Sequence, residues 1–152
     1  MDHRELIETT LRFWRVHDVE QTLVTIADDI VYQIYTAQSA TPLSGQTSGK
    51  EAFGDFLYEL LAHFDYLSYE PTILEVHDGV ARIQTQYVLR HRASGETLEG
   101  SKRSVCTITN DLIARIDEYH DAALVEAFMR LTKAKDGEQH AIDVQRARAL
   151  KL

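Results

Sequence analysis

The chain has little of several things, and each shortage closes off a class of function. It has a single cysteine, Cys106, so no internal disulfide can form. Cys106 has no nearby redox partner and sits in a strand-like run, as a buried inert thiol does. A reducing compartment suits such a chain. No stretch approaches the roughly eighteen apolar residues of a membrane span. The first ten residues lack the apolar core of a signal peptide. The expectation is a cytoplasmic protein with no membrane partner. Positive charge is scarce too: 16 Lys and Arg stand against 24 Asp and Glu, a net charge of −8. A general nucleic-acid binder needs a basic face, so no nucleic-acid partner is expected. Arg90, His91 and Arg92 make only a small basic patch of the kind found on solvated strand edges. The histidines His17, His63, His77, His91 and His120 show no ligand spacing such as His-Glu-x-x-His, and there is no cysteine cluster. Gly-x-Ser-x-Gly is absent, and Gly49-Lys50 lacks the rest of a phosphate loop. Neither a metal nor any other cofactor is expected.

What is there suits one globular domain with a real core, at 152 residues and 44% hydrophobic. A first helix is predicted over about 3–16, with Leu6, Ile7, Leu11, Phe13 and Trp14 as its apolar stripe. Asp18 reads as an N-cap with Gln21 as its capping-box partner. It opens a short second helix that should carry Leu23, Ile26 and Ala27 to the core. Asp28-Asp29 breaks that pattern, and residues 30–35 are β-branched and aromatic, hence a strand. Residues 36–49 hold Pro42, Gly45 and Gly49 and read as a loop. Ser48 and Glu51 suggest a capping box for a third helix over 50–64, burying Phe53, Phe56, Leu57, Leu60, Leu61 and Phe64. Residues 66–120 read as long strands joined by turns at Asp78-Gly79, Ser94-Gly95 and Asn110-Asp111. A last helix begins after Asp121. The charged stretch 133–152 has little core-forming content and reads as a tail, helical in part or disordered. The domain proper is thus 1–132. Long antiparallel strands with three helices to cover give an α+β fold, a strongly curved sheet wrapped on the helices, closed by a short C-terminal helix.

The stretch 112–120 holds the sharpest chemical signal. At period two, Leu112, Ala114, Ile116, Glu118 and His120 share a largely apolar face, while Ile113, Arg115, Asp117 and Tyr119 share the other. A carboxylate on an apolar face is costly unless it is paired, protonated or facing a cavity. Glu118 is therefore the first candidate for catalysis; a rim salt bridge is its structural alternative.

This order of elements resembles the nuclear transport factor 2-like superfamily, the cone-shaped α+β fold of SnoaL-like polyketide cyclases, ketosteroid isomerases and limonene-epoxide hydrolases. The resemblance covers about 6–131. It rests on Asp18-Val19-Glu20 opening the second helix and on Ala27-Asp28-Asp29-Ile30-Val31-Tyr32 entering the first strand. Gly49-Lys50-Glu51-Ala52-Phe53 at the third helix and the run from Ile116 to Asp121 complete it. It implies a sheet whose antiparallel strands include a mixed pairing, a pocket between sheet and helices, and a homodimer paired through the outer sheet face, with Val88, Val105 and Thr107 contributing. Of the epoxide hydrolases' water-holding residues, Tyr32 keeps the tyrosine and Glu118 falls at the aspartate. Ile34 replaces the asparagine, and Thr85 and Tyr87 stand where an arginine and a second aspartate belong, so epoxide hydrolysis is disfavoured. The cyclases' carboxylate again falls at Glu118, and their central-strand histidine has only Tyr87 or His91 near it. The isomerase pattern would put its tyrosine near Thr10, its base near Tyr35 or Thr36, and its proton-donating aspartate near Ser104; none matches.

The resemblance implies cofactor-free acid/base chemistry of isomerase or cyclase type on a small hydrophobic, carbonyl-bearing molecule. Glu118 is the expected acid/base, its pKa raised toward neutrality by burial. Tyr87 or His120 is the expected electrophilic donor. Tyr32 would position the ligand, Trp14, Phe56, Leu60 and Leu89 would wall the pocket, and Ser104 is a further ligand contact. The alternative is a non-catalytic ligand-binding or association module on the same fold.

Overall fold

A computed structural model describes residues 1–149. Helix α1 (His3–Arg15) opens on a full capping box, Asp2 accepting from the Glu5 N–H while Glu5 reaches back. It buries Leu6, Ile7 and Trp14. Helix α2 (Val19–Val24) starts at Asp18, whose carboxylate accepts from the Gln21 N–H. It ends earlier than expected. Ile26 and Ala27 belong instead to strand β1 (Ile26–Tyr35), because the Thr25 carbonyl accepts from Ile113 N–H and draws the chain into the sheet. Asp28 and Asp29 occupy the break in that strand's pairing between Ile26 and Val31 and face solvent.

The expected loop 36–49 contains a further strand, β2 (Gly45–Ser48), paired antiparallel to β1. Helix α3 (Lys50–His63) consequently has Gly49, not Ser48, at its N-cap. That cap has no side-chain bond, because Ser48 is held in the β2 pairing. Strands β3 (Phe64–His77), β4 (Val80–His91), β5 (Thr97–Thr109) and β6 (Leu112–His120) form the meander. Asp78 and Gly79, and likewise Asn110 and Asp111, take the positive φ that a two-residue turn matching strand twist requires. The sheet order is β2-β1-β6-β5-β4-β3, with β1 and β6 parallel and every other pair antiparallel.

The fold is the α+β arrangement expected, a mixed sheet covered on one face by α1, α2 and α3. Its core joins Leu6, Ile7, Val19, Phe53, Leu57 and Leu60 of the helices to Ile26, Ile30, Ile83, Leu89 and Ile113 of the sheet. Helix α4 (Ala122–Ala149) begins on the Asp121 cap, which accepts from Leu124 N–H, and buries Val125, Phe128 and Met129. It runs on past 132 through the stretch read as a tail. Lys133 donates to the Ser39 carbonyl at 2.8 Å, and Lys135 meets Glu96 at 2.8 Å. Among the described residues no helix is long and apolar enough to cross a membrane.

Candidate active site

Between the inner sheet face and the helices lies a cavity of about 110 Å³. That is of the order of the apolar cavity, about 150 Å³, that holds benzene in an engineered lysozyme. Trp14 of α1, Phe56 and Leu60 of α3, and Leu89 of β4 wall it, and Tyr32 of β1 and Ser104 of β5 face it. Tyr87, Glu118 and His120 line it as well. Every residue singled out in the sequence as catalytic or ligand-contacting is thus brought to one space. Three neighbours in sequence are not. His91 turns away, its Nδ1 bonded to the Ser94 hydroxyl at 2.8 Å in the β4–β5 turn and its ring against Phe64. Arg90 and Arg92 both bind Asp65, at 3.0 and 2.7 Å, on the exposed side.

The polar end of the cavity is a hydrogen-bonded chain. Lys102 Nζ donates to Glu118 Oε1 at 2.9 Å, and His120 Nε2 stands 3.0 Å from Glu118 Oε2. His120 Nδ1 stands 3.2 Å from the Tyr87 hydroxyl. An ionised carboxylate only accepts, so Nε2 carries the proton facing Glu118. In the neutral ring Nδ1 then accepts from Tyr87 O–H. Gly100 makes the Tyr87 position possible. The two residues pair directly across β4 and β5, and a Cβ at Gly100 would lie 2.6 Å from the Tyr87 hydroxyl oxygen.

Lys102 is the member the sequence reading missed. Its signal was available: with Leu98, Gly100, Ser104, Cys106 and Ile108 it alternates on a face that is otherwise small or apolar. The pairing also shows why Ile113, expected outside, is inside. The β5–β6 register slips between Thr107 and Ile108, leaving Ala114 unpaired, so Ile113 and Ile116 both face inward.

Lys102 reverses the expectation for Glu118. Burial, the largest single effect, pushes the carboxyl up, but the Lys102 ammonium and the neighbouring groups together outweigh it. Lys102, with the His120 contact and the Tyr32 hydroxyl, holds Glu118 well below the usual carboxylate range. Glu118 is a fixed anion, not a base poised near neutrality. Lys102 is likewise kept charged: burial works against the ammonium, while Glu118, and then Tyr69 and Tyr66, favour it. An ammonium so held is no amine nucleophile. Tyr32 is clasped by Phe53 and Phe56, and burial, then Glu118, push its hydroxyl up. Burial raises Tyr87 to about 12, against Lys102, which lowers it. Burial also raises Cys106 to about 12, so the thiol stays protonated and inert. Among the described residues no group of His, Cys, Asp and Glu is arranged to hold a metal ion.

No family model and no curated protein matches this sequence. Solved structures do. A candidate SnoaL-like polyketide cyclase from Mesorhizobium loti superposes with a TM-score of 0.67 at 17% identity, covering 78% of this chain and 99% of that one. A candidate isomerase from Bacillus subtilis gives 0.70 at 20% identity, covering 84% and 94%. An NTF2-like protein from Burkholderia thailandensis gives 0.71 at 16% identity, covering 82% and 95%. At such identities the likeness is one of fold, and with the strand order and helical cover it establishes that this chain has the nuclear transport factor 2-like fold.

Proposed function

We propose that this chain is a cofactor-free acid/base catalyst of isomerase or cyclase type, acting on a small hydrophobic molecule that bears a carbonyl group. The observation that carries this reading is the unbroken chain from Lys102 through Glu118 and His120 to Tyr87 at the polar end of a largely apolar cavity. The roles differ from those expected of the sequence. Glu118 stays ionised; it orients the His120 ring and balances the charge His120 gains. His120 Nδ1 accepts the proton. The Tyr87 hydroxyl hands its own proton to Nδ1 as it takes one from the carbon beside the carbonyl, and the reverse transfer returns a proton to another carbon. Tyr32 and the aromatic walls hold the ring of the ligand. Epoxide hydrolysis remains disfavoured, since Ile34 cannot hold an attacking water as an asparagine would, and Thr85 and Tyr87 stand where that site has an arginine and a second aspartate.

One observation favours the second reading, a ligand binder without turnover. Lys102 and Glu118 satisfy each other's charge without any ligand. Proton exchange separates the two. Cyclohexanone and acetophenone in deuterated buffer, followed by proton NMR, should lose their α-proton signal in proportion to protein concentration. His120→Phe should abolish that exchange. Binding of either ketone with no exchange would assign the protein to the second reading.

A further inference from the structure

Two polar groups in the cavity lack the partners their burial demands. Thr85 is 1% exposed, and its hydroxyl is the one buried side-chain polar atom among the described residues with no hydrogen-bond partner. A buried unpaired hydroxyl is a net cost that a folded core ordinarily avoids. Lys102 is 8% exposed. An ammonium has three donors, and among the described residues Lys102 has one hydrogen bond, to Glu118. The ammonium also lies 5.4 Å over the Tyr69 ring, a cation–π contact that supplies no hydrogen-bond acceptor oxygen. Both residues line the cavity, and they stand directly opposite each other in the β4–β5 register. The next residue in that row, opposite Lys102 on β6, is His120.

Donors without acceptors call for a ligand that brings an acceptor. We infer that Lys102 and Thr85 form an oxygen-binding pole that takes the ligand's carbonyl oxygen and stabilises it as the enolate develops. The ligand class is therefore an enolisable ketone of about one ring, bound oxygen-first toward β4 and β5. This deepens the acid/base reading and rests on it for the enolate step; the oxygen site itself does not. Charge supports a neutral ketone over a carboxylate. Glu118 already balances Lys102, so a resident anion would leave the pole negative, whereas an enolate exists only while His120 carries the transferred proton. Each proton lost by carbon thus appears on His120, and the negative charge gathers on the oxygen facing Lys102 and Thr85.

A phenol that binds as phenolate, its proton passed to His120, imitates the enolate oxygen and its charge balance on a ring. Fluorine NMR titration of pentafluorophenol against pentafluorobenzene therefore isolates the contribution of the oxygen. The phenol should bind at least about tenfold tighter. Thr85→Val, which keeps side-chain shape and leaves the Lys102–Glu118 pair intact, should cut that preference about tenfold, the loss of one hydrogen bond to a charged oxygen. Lys102→Met should abolish it. Equal affinity for the two probes, failure to bind either, or a preference that survives Thr85→Val overturns the inference, whether or not Lys102→Met folds. The ketone exchange assay judges the catalytic reading separately. A phenol preference without α-proton exchange keeps the oxygen site and removes catalysis; exchange without the preference does the opposite.

Discussion

Glu118 shows how one neighbour changes what a residue can do. A carboxylate on an apolar strand face, taken alone, is pushed toward protonation. Lys102 at 2.9 Å, with His120 and Tyr32 beside it, reverses that. The Lys102 and Glu118 side chains are at most 9% exposed, so solvent does little to screen them. Glu118→Gln should therefore harm more than activity. It leaves the Lys102 ammonium buried without a counter-charge, at a cost of about 3–5 kcal/mol. Replacing both residues together, Lys102→Met with Glu118→Gln, should restore most of that, because the neutral pair leaves no uncompensated charge buried. Urea denaturation of the three proteins measures both. A single variant within about 0.5 kcal/mol of the parent would show the pair to be better solvated than its geometry indicates.

Among the elements, the register of β4, β5 and β6 decides the site. Tyr87 lies over Gly100, and Thr85, Lys102 and His120 share one transverse row. Gly100 has no positive φ and no turn to make; its value is the space it leaves. Gly100→Ala places a methyl where the Tyr87 hydroxyl sits and should break the bond to His120 Nδ1. Loss of a positioned acid/base group costs about 10²–10⁴ in rate. Ketone exchange should fall by that order in Gly100→Ala and in Tyr87→Phe, with the double variant no worse than either alone. The urea midpoint of Gly100→Ala should stay close to the parent's. Additive losses in the double variant would mean that Gly100 acts by another route.

Across the whole molecule, burial of these groups sets the pH range of stability. Glu118 is held below its ordinary value of 4.5, so its contribution is complete above that pH and is lost as pH falls below it. Cys106 is raised from 9.0 to about 12 and Tyr87 from 10.0 to about 12. Folding favours their neutral forms, so their contributions are complete below pH 9 and fade as pH climbs toward 12. The urea midpoint should be nearly flat between about pH 5 and 9 and fall on either side. A midpoint that rises above pH 9 would mean that Cys106 and Tyr87 are exposed to solvent.

The periodicities, caps and turn residues of this chain determined its α+β class, the two-residue turns and the apolar faces. These are local signals, carried by neighbours in sequence. They also placed Glu118, Tyr87 and His120 on inward faces, since a strand's period fixes the side each residue takes. Strand β2 escaped because a glycine and three polar residues carry no apolar alternation, and Ile113 was misplaced because a bulge resets the period. What only the tertiary structure decided is the chemistry of the site. Lys102 and Glu118 are distant in sequence, and Thr85 meets Lys102 only through a pairing register. A pKa or an unpaired donor depends on what long-range pairing brings within a few ångströms, and no local pattern encodes that distance.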